Sequence, residues 1–471
     1  MKIIRSTLSL VLALMLTCTV YAGQSSKPRV IVMTDGEIDD HCAMVRFLLY
    51  SNDMDIAAII ETNSVFQQKG WSSQKWIDKQ IDAYAQVYPN LKVHDSAYPT
   101  PDYLKAHLYV GDEDPSHLAV SQKTIQRVPG MENMINPAKW EDTPGSDRIV
   151  KVLLEDDPRP VYIQAWGGGN TAARAFYKLK SQYPNDYERA VSKAVMYGIW
   201  YQDGAGDYIE EFHPGVTMLI SYFFSGTWDY GSQPYTRQFV TDNLHNNHGA
   251  LGAMYKQKYI SEGDSPAFLY SLANGLRSYE HPTYGGWGGR FYKVPGKANV
   301  YRDVDKASYM RWVEYANRDF EARLKWCVAP KYEDANHKPV INIIGGLDRI
   351  VKSGELVEIE AKISDPDPVD YDALWEKWGP ILEQHGQDKS IMPVFAKNQP
   401  KYSSLWWQYK EAGTYNGMVE LSGQFQDRIH FVAPEVTEPS TIHLILEVKD
   451  GGFPSLTAFA RVIITVVPSK H

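Results

Sequence analysis

A recurring order of buried strand, turn and helix constrains the first two thirds of this 471-residue chain more than any other feature. A short, mostly apolar run covers 29–33, apolar side chains recur at helical spacing over 39–51, and a second apolar run covers 56–60. The same order returns over 160–197. Continuous apolar strands that alternate with helices are typical of a parallel sheet with helices on both faces. We therefore predict a mostly parallel, doubly wound α/β domain whose ligand binds beyond the carboxyl ends of the strands.

The pattern changes after about residue 335. Apolar and polar residues alternate strictly over 354–363 and again over 442–448, and turns rich in Pro, Gly and Asp separate such segments. This alternation predicts an all-β, immunoglobulin-like sandwich with one buried face on each strand. The predicted units are a domain over 23–335 and a sandwich over 336–471, the latter with an irregular insertion over 372–403.

The N-terminus predicts a cleaved export signal. Two basic residues precede an apolar run from Leu8 to Val20, and small or tolerated residues follow where signal peptidase cuts, so residues 1–22 are assigned to the signal. The run is too short for a comfortable membrane span, so we expect a periplasmic or extracellular protein without a transmembrane anchor. A lipid anchor at Cys18 is the alternative, although Thr precedes that cysteine where lipoprotein signals usually have a small residue.

Composition excludes several kinds of partner. The chain has 48 Lys and Arg against 57 Asp and Glu, a net charge of −9 and no long basic run, so neither nucleic acid nor anionic lipid is expected as a partner. Without the signal only Cys42 and Cys327 remain, too few for a disulfide framework or a zinc cluster, and whether they pair is open. The 31 Tyr and 13 Trp fit either sugar-stacking surfaces or a bulky core. The oligomeric state is also open.

Acidic residues crowd the end of the first predicted strand. Three aspartates and a glutamate lie in the heptapeptide Thr34-Asp35-Gly36-Glu37-Ile38-Asp39-Asp40, and the first basic residue after them is Arg46. A single aspartate there could simply cap the following helix. Four carboxylates repel one another, however, and a hard cation would neutralise them. We therefore predict a metal site at this edge of the sheet.

Two further segments bear on the site. Residues 164–171 form a glycine-rich turn after a strand, in which backbone carbonyls are free to face a cation, although such turns often do no more than reverse the chain. The turn lacks the spacing of dinucleotide and phosphate loops, so no nucleotide cofactor is expected. Asp264 precedes a helix predicted over 267–276, where helix capping is an equal alternative. A Gly/aromatic loop over 279–290 either rims a pocket or is a rigid structural loop.

Together these segments resemble the nucleoside hydrolase superfamily, and more closely its exported bacterial relatives described as cellulose-binding proteins with a nucleoside-hydrolase-like domain and a β-sandwich. In nucleoside hydrolases an Asp-x-x-x-Asp-Asp motif holds calcium and the catalytic water, and it matches Asp35, Asp39 and Asp40. The resemblance implies two more metal ligands, the carboxylate of Asp264 and the main-chain carbonyl of Trp166. Oxygen ligands without His or Cys favour calcium (Ca²⁺) over zinc.

The resemblance implies an exported, calcium-dependent hydrolase of a glycosidic bond, N-linked or O-linked, that acts on a small sugar conjugate or glycan. Asp39 is then the catalytic base that takes the proton of a water held by the metal. The alternative is a cellulose-like polysaccharide binding protein without turnover. The residues expected to bind the substrate are Asn63, Trp166, Asn170, Gln202 and Asp203.

Two positions depart from the nucleoside hydrolase pattern. Gly263 stands where those enzymes commonly have a histidine that contacts the leaving group, and Gly36-Glu37 replaces the usual Pro-Gly. The first departure leaves the identity of the leaving group and its acid open. Glu37 is either an extra acid beside the metal or a solvated side chain. The tryptophan ring at position 166 either lines the sugar site or wedges beneath the metal-binding turn.

Overall fold

The computed structural model describes residues 27–119, 135–228, 237–256, 258, 261–369, 371–397 and 401–469. The predicted signal and its Cys18 lie outside these residues. Across the described ranges, none of the helices has the length and apolar character needed to cross a membrane.

Fifteen strands and thirteen helices are assigned within the described ranges. The strands are β1 Arg29–Thr34, β2 Asp55–Glu61, β3 Leu108–Val110, β4 Val161–Ala165, β5 Ala194–Ile199, β6 Thr217–Ser221, β7 Phe291–Lys293, β8 Val300–Asp303, β9 Val340–Ile343, β10 Asp348–Lys352, β11 Leu356–Ser364, β12 Tyr402–Gln408, β13 Arg428–Val432, β14 Ser440–Asp450 and β15 Thr457–Val467. The helices are α1 Ile38–Leu49, α2 Trp76–His94, α3 Pro101–Ala106, α4 Pro144–Leu154, α5 Asn170–Gln182, α6 Tyr187–Ser192, α7 Ala205–Phe212, α8 Arg237–Val240, α9 Gly249–Ala253, α10 Ser265–Ser271, α11 Ala307–Trp326, α12 Tyr371–Gln384 and α13 Met392–Lys397.

The first eight strands form one sheet in the order β3-β2-β1-β4-β5-β6-β8-β7, and only β7 runs antiparallel to its neighbour. Along β1, Val30 and Val32 belong to one buried apolar cluster, whereas Ile31 and Met33 belong to another. The strand is therefore covered on both faces, which explains why its sequence is a continuous apolar run. This arrangement confirms the predicted doubly wound α/β fold.

Helix α10 is shorter than predicted because tertiary contacts end it. The expected helix over 267–276 stops at Ser271, and Leu272 is extended. Three residues later Gly275 has a φ of +87°, and a Cβ there would overlap the carbonyl oxygen of Phe459 in the sandwich. The Gly275 carbonyl also accepts the N–H of Arg461 at 3.0 Å. After α10 the chain is extended and contacts β15.

The C-terminal strands form a sandwich of two sheets, ordered β10-β15-β14-β12 and β13-β11-β9, around their own apolar cluster. The all-β sandwich is thereby confirmed. The prediction of an irregular insertion over 372–403 is wrong, because this segment contains helices α12 and α13. Gly379 and Pro380 suggest a break in the sequence, yet α12 continues through both. The apolar spacing of Leu374, Trp375 and Trp378 outweighs these local signals.

The sandwich packs closely on helix α11 and on the Gly/aromatic loop. Trp312 of α11 meets Phe459 of β15 edge to face, with ring centroids 5.6 Å apart. Arg461 is fully buried and donates to the main-chain carbonyls of Tyr284 and Gly285, each at 2.8 Å. The loop therefore serves as a rigid docking surface, the second of the two alternatives. Trp312 and Phe459 belong to one buried cluster with the helices of the α/β sheet, so the junction is apolar and closed.

Candidate metal centre

Three neighbouring strands bring the candidate residues to one edge of the sheet. The order β2-β1-β4 places the ends of these parallel strands side by side, and the register pairs Thr34 with Glu61 and Met33 with Ala165. Asp35, Asn63 and Trp166 follow these ends directly. The site thus lies beyond the carboxyl ends of the strands, where doubly wound sheets bind ligands.

Carboxylates from two distant segments converge there. One oxygen from each of Asp39, Asp40 and Asp264 lies within 4.8 Å of the others. Asp40 also accepts the main-chain N–H of Asp35 at 3.1 Å and a hydrogen bond from the hydroxyl of Thr34. Two of the four acids of the heptapeptide, Asp39 and Asp40, and the late aspartate therefore lie together in space, as a cation site requires.

The carboxylate of Asp35 lies against the glycine-rich turn. A Cβ added to Gly167 would come within 2.7 Å of Asp35 Oδ2, so only glycine lets the turn approach this closely. This contact joins the first and second sequence segments of the candidate site.

None of these aspartates serves as a helix cap through its side chain. The N-cap residue of α1 is Glu37, that of α10 is Asp264, and neither makes a side-chain capping hydrogen bond. Asp39 and Asp40 lie within the first turn of α1. Simple capping, the alternative left open by the sequence, therefore does not account for the acids.

Burial and mutual repulsion make the carboxylate charges costly. Asp35, Asp40 and Asp264 are each 1% exposed. Burial and then the neighbouring carboxylates raise the pKa of Asp40 and Asp264 well above the usual range, and burial raises the pKa of Asp35. Burial, with Asp35 and Asp39, raises the pKa of Glu37 to about 8. A nearby positive charge is needed before all of these carboxyl groups can be ionised at neutral pH.

A cation fits this donor set. In the described part of the chain, Asp35, Asp40 and Asp264 form no ion pair with a basic side chain. The Oδ2 atoms of Asp35 and Asp264 are buried and have no hydrogen-bond partner. Buried polar atoms are normally satisfied, and hard carboxylate oxygens are the ligands that calcium prefers.

The carbonyl of Trp166, predicted as a ligand, accepts a hydrogen bond from Gln202 Nε2 at 2.6 Å. A carbonyl oxygen has two lone pairs, so this bond orients the group and leaves one acceptor direction. Gln202 Oε1 is buried and has no hydrogen-bond partner in the described residues. The indole of Trp166 packs edge to face on Phe47, with centroids 5.7 Å apart, and is 1% exposed. It wedges beneath the turn, the second of the two predicted placements.

Asn63 and Asn170 lie in the wall of the site and bind each other. Asn170 Nδ2 donates to Asn63 Oδ1 at 2.8 Å, and Asn63 Nδ2 donates to the carbonyl of Gln68 at 2.9 Å. Asn170 Oδ1 accepts from the hydroxyl of Thr62 at 2.9 Å. Both side chains are fully buried and already hydrogen-bonded. A sugar hydroxyl would reach them only by replacing one of these bonds.

The carboxylate of Asp203 accepts hydrogen bonds from the backbone of the glycine-rich turn. Its Oδ2 accepts the N–H groups of Gly169 and Asn170 at 2.7 and 2.9 Å, and its Oδ1 accepts that of Ala205 at 2.9 Å. Burial raises its pKa to about 7, although the three backbone donors oppose the shift. These contacts place Asp203 where it fixes the start of α5.

Sequence reasoning missed one buried ion pair that supports the site. Arg46 Nε lies 2.7 Å from Glu262 Oε2, and both side chains are fully buried. Tyr255 and Ser265 also donate to the Glu262 carboxylate. The pair ties α1, which carries Asp39 and Asp40, to the segment that precedes Asp264. Its only sequence signal is that Arg46 is the first basic residue after the acidic cluster.

Gly263 explains one departure from the nucleoside hydrolase pattern. A Cβ at this position would lie 2.9 Å from Asp39 Oδ2 and 3.1 Å from the ring of Phe224. A side chain at residue 263 would therefore crowd Asp39, and glycine itself supplies no leaving-group acid.

Two family models match this chain. Residues 29–291 match the family described as cellulose-binding Sde182, nucleoside hydrolase-like domain. Residues 397–466 match the family described as cellulose-binding protein Sde0182, C-terminal domain. Among curated proteins, no sequence matches this chain.

A solved structure is similar to this chain over nearly its whole length. A nucleoside hydrolase-related hypothetical protein from Saccharophagus degradans, associated with carbohydrate metabolism, is 28% identical with a TM-score of 0.76, covering 93% of this chain and 100% of its own. The effector protein XOO4466 is 11% identical, with a TM-score of 0.34 over 65% of this chain and 94% of its own. The type III effector protein XopQ, complexed with adenosine diphosphate ribose, is 10% identical, with a TM-score of 0.34 over 65% and 95%. A TM-score of 0.34 is too low for either of these two effector proteins to indicate the fold or function of this chain.

Proposed function

The chain belongs to the family of cellulose-binding Sde182 proteins with a nucleoside hydrolase-like domain, and from this premise we propose that it is an exported, calcium-dependent hydrolase of a glycosidic bond, N-linked or O-linked. The observation that carries the proposal is the convergence of carboxylate oxygens from Asp39, Asp40 and Asp264 within 4.8 Å at the carboxyl edge of the sheet. The expected substrate is a small sugar conjugate or glycan.

Calcium would be held by the side chains of Asp35, Asp40 and Asp264 and by the carbonyl of Trp166. The Oδ2 atoms of Asp35 and Asp264, which are buried and lack a hydrogen-bond partner within the described ranges, support this ligand set. When bound, the ion would neutralise the carboxylates, hold sugar hydroxyls and lower the pKa of a water beside it.

The chain's own residues account for the remaining chemistry. Asp39 is only partly buried, unlike Asp40, and therefore lies where it can take a proton from a water that attacks the anomeric carbon. The surrounding carboxylates stabilise the oxocarbenium-like charge that develops there. Gln202 Oε1 has no hydrogen-bond partner among the residues that the structure describes, and it would accept a hydrogen bond from a sugar hydroxyl that reaches it.

A second candidate function is glycan binding without turnover. Asn63, Asn170 and Trp166 are each at most 1% exposed, and a glycan that binds elsewhere on the chain, unlike a substrate at the metal centre, does not need these groups to open. The family description as cellulose-binding points the same way.

One experiment separates the two candidates. Nucleosides, aryl glycosides and plant oligosaccharides are incubated with the wild type, with Asp39→Asn and with Asp102→Asn, an exposed control on α3, with and without chelator. For the hydrolase, we expect turnover that chelator abolishes, a loss of roughly 100-fold or more in Asp39→Asn, and no loss in the control. Calorimetry should show that Asp39→Asn still binds calcium.

Glycan binding without any turnover across the panel would favour the second candidate. Turnover that is unchanged in Asp39→Asn would remove the catalytic assignment of that residue. No calcium binding at millimolar concentration would refute the metal site.

A further inference from the structure

A groove separate from the carboxylate cluster runs along the junction between α11 and the sandwich. It consists of two cavities of about 910 and 350 Å³ that share Arg311, Tyr315 and Glu447. Arg311 and Tyr315 are four residues apart on α11 and therefore lie on one face of that helix. The volumes fall in the range typical of ligand-binding clefts.

The floor of the smaller cavity combines aromatic rings with one carboxylate. Trp406 packs inside the sandwich, so the next residue of β12, Trp407, faces the opposite side toward α11. Trp407 Nε1 donates to Glu447 Oε1 at 2.8 Å, and the hydroxyl of Tyr315 donates to Glu447 Oε2 at 3.0 Å. Both rings are partly exposed. The carboxylate is fixed between them.

Glu447 keeps acceptor capacity in this position. A carboxylate offers about four lone-pair directions, and the two donors use two of them. Glu447 forms no ion pair among the described residues, so no basic side chain occupies the others. The remaining directions suit hydroxyl donors.

The rest of the groove is apolar in part and balanced in charge. Met310 and Phe453, which line the larger cavity, are 41% and 50% exposed. Four basic and four acidic side chains line the same cavity, so its formal charge is zero. A neutral ligand with both apolar faces and hydroxyl donors matches this lining, whereas a polyanion does not.

We propose that this junction groove binds a neutral glycan chain. Sugar rings lie on the faces of Trp407 and Tyr315, and their hydroxyls donate to Glu447. The proposal rests on the proposed function for the chemical class of the ligand, but it uses none of the residues of the metal centre. The groove requires both α11 and the sandwich, so it exists only in the two-unit chain.

The test measures binding of cellohexaose, a soluble β-1,4-linked glucose hexamer, to the full mature chain by calorimetry. The variants are Trp407→Ala and Glu447→Gln, with Trp378→Ala as a control because Trp378 is a partly buried tryptophan that does not line the groove. We expect about a tenfold loss of affinity in Trp407→Ala, which corresponds to about 1.4 kcal/mol, because the variant removes the ring face on which a sugar stacks. Glu447→Gln, which keeps side-chain volume and fold, should weaken binding several-fold, and Trp378→Ala should not.

An Asp264→Asn variant separates this proposal from the proposed function. Cellohexaose binding that persists in Asp264→Asn and falls in Glu447→Gln supports the groove. Binding that is lost in Asp264→Asn, or unchanged in both Trp407→Ala and Glu447→Gln, overturns it. No binding by the wild type also overturns it, whereas the proposed function is judged separately by chelator-sensitive turnover of the small substrates.

Discussion

Replacing Arg46 by methionine tests whether the buried ion pair supports the metal centre. Arg46 and Glu262 are fully buried at 2.7 Å, and the Arg46 guanidinium also lies 4.1 Å from the ring centroid of Phe320. Of the described residues, the variant Arg46→Met leaves the Glu262 carboxylate with two hydroxyl donors, Tyr255 and Ser265. Breaking one side of a buried ion pair typically costs about 3–5 kcal/mol, because the other charge stays buried without compensation. We expect a loss of that size in the free energy of unfolding.

The double variant Arg46→Met/Glu262→Gln isolates the charge from the packing. It removes both charges and keeps an amide oxygen that can accept from Tyr255 and Ser265. We expect it to recover most of the stability lost in the single variant. Urea unfolding at neutral pH, with calcium and with chelator, measures all three proteins. The single variant should also bind calcium more weakly, because Glu262 precedes the segment that presents Asp264.

The matched control is Arg428→Met, which removes an exposed arginine paired with Glu360 on the sandwich. Exposed ion pairs contribute little, so this variant should unfold like the wild type. If Arg46→Met is no less stable than Arg428→Met, or if the double variant is as unstable as the single one, the reasoning from buried charge is wrong.

Three further predictions concern the whole chain. Burial and, after it, nearby arginines lower the pKa of His443 to about 3. As the pH falls below about 6.5, this histidine is therefore protonated in the unfolded chain but not in the folded one. The free energy of unfolding then falls by up to about 1.4 kcal/mol per pH unit. His443→Gln should flatten this loss in unfolding curves between pH 7 and 4, whereas the exposed control His385→Gln should not. A chain truncated after Lys331 should bind a hydrophobic dye and aggregate, because the apolar junction is uncovered; a soluble, cooperatively unfolding fragment would contradict this. Reductant should not change the melting temperature, since the two described cysteines are free thiols.

Much of the fold could be predicted because the order of apolar and polar residues along a strand shows which of its faces are buried. The residues of β1 are buried on both faces and read as one apolar run, while β11 alternates, with Val357, Ile359 and Ala361 in the sandwich core and more exposed residues between them. The ends of helices are predicted less well, because tertiary contacts influence where a helix stops. Gly275, which follows the end of α10, meets Phe459, and α12 continues through Pro380 although proline usually breaks a helix.

The candidate site also has a part that the sequence predicts and a part that it does not. The acids of the heptapeptide lie within six residues of each other, so their shared edge of the sheet follows from one strand and one helix. The partners that fix the site come from far along the chain. Arg46 and Glu262 are 216 residues apart, and Asn63 and Asn170 are 107 residues apart, so no local pattern connects them. The calcium ligands and the sugar contacts remain predictions.

Gly263 shows how one missing side chain changes the chemistry that the centre can support. Glycine has no group that donates a proton, so an acid that protonates the leaving group does not come from residue 263, and a Cβ there would lie close to Asp39 Oδ2 and the Phe224 ring. A nucleobase leaves readily only when it is protonated or hydrogen-bonded by a nearby donor. The substrate therefore needs either a leaving group that departs without help from residue 263 or an acid from another element of the chain. For this reason the substrate panel must extend beyond nucleosides to aryl glycosides, whose phenolate leaving groups need little protonation, and oligosaccharides, which need an acid.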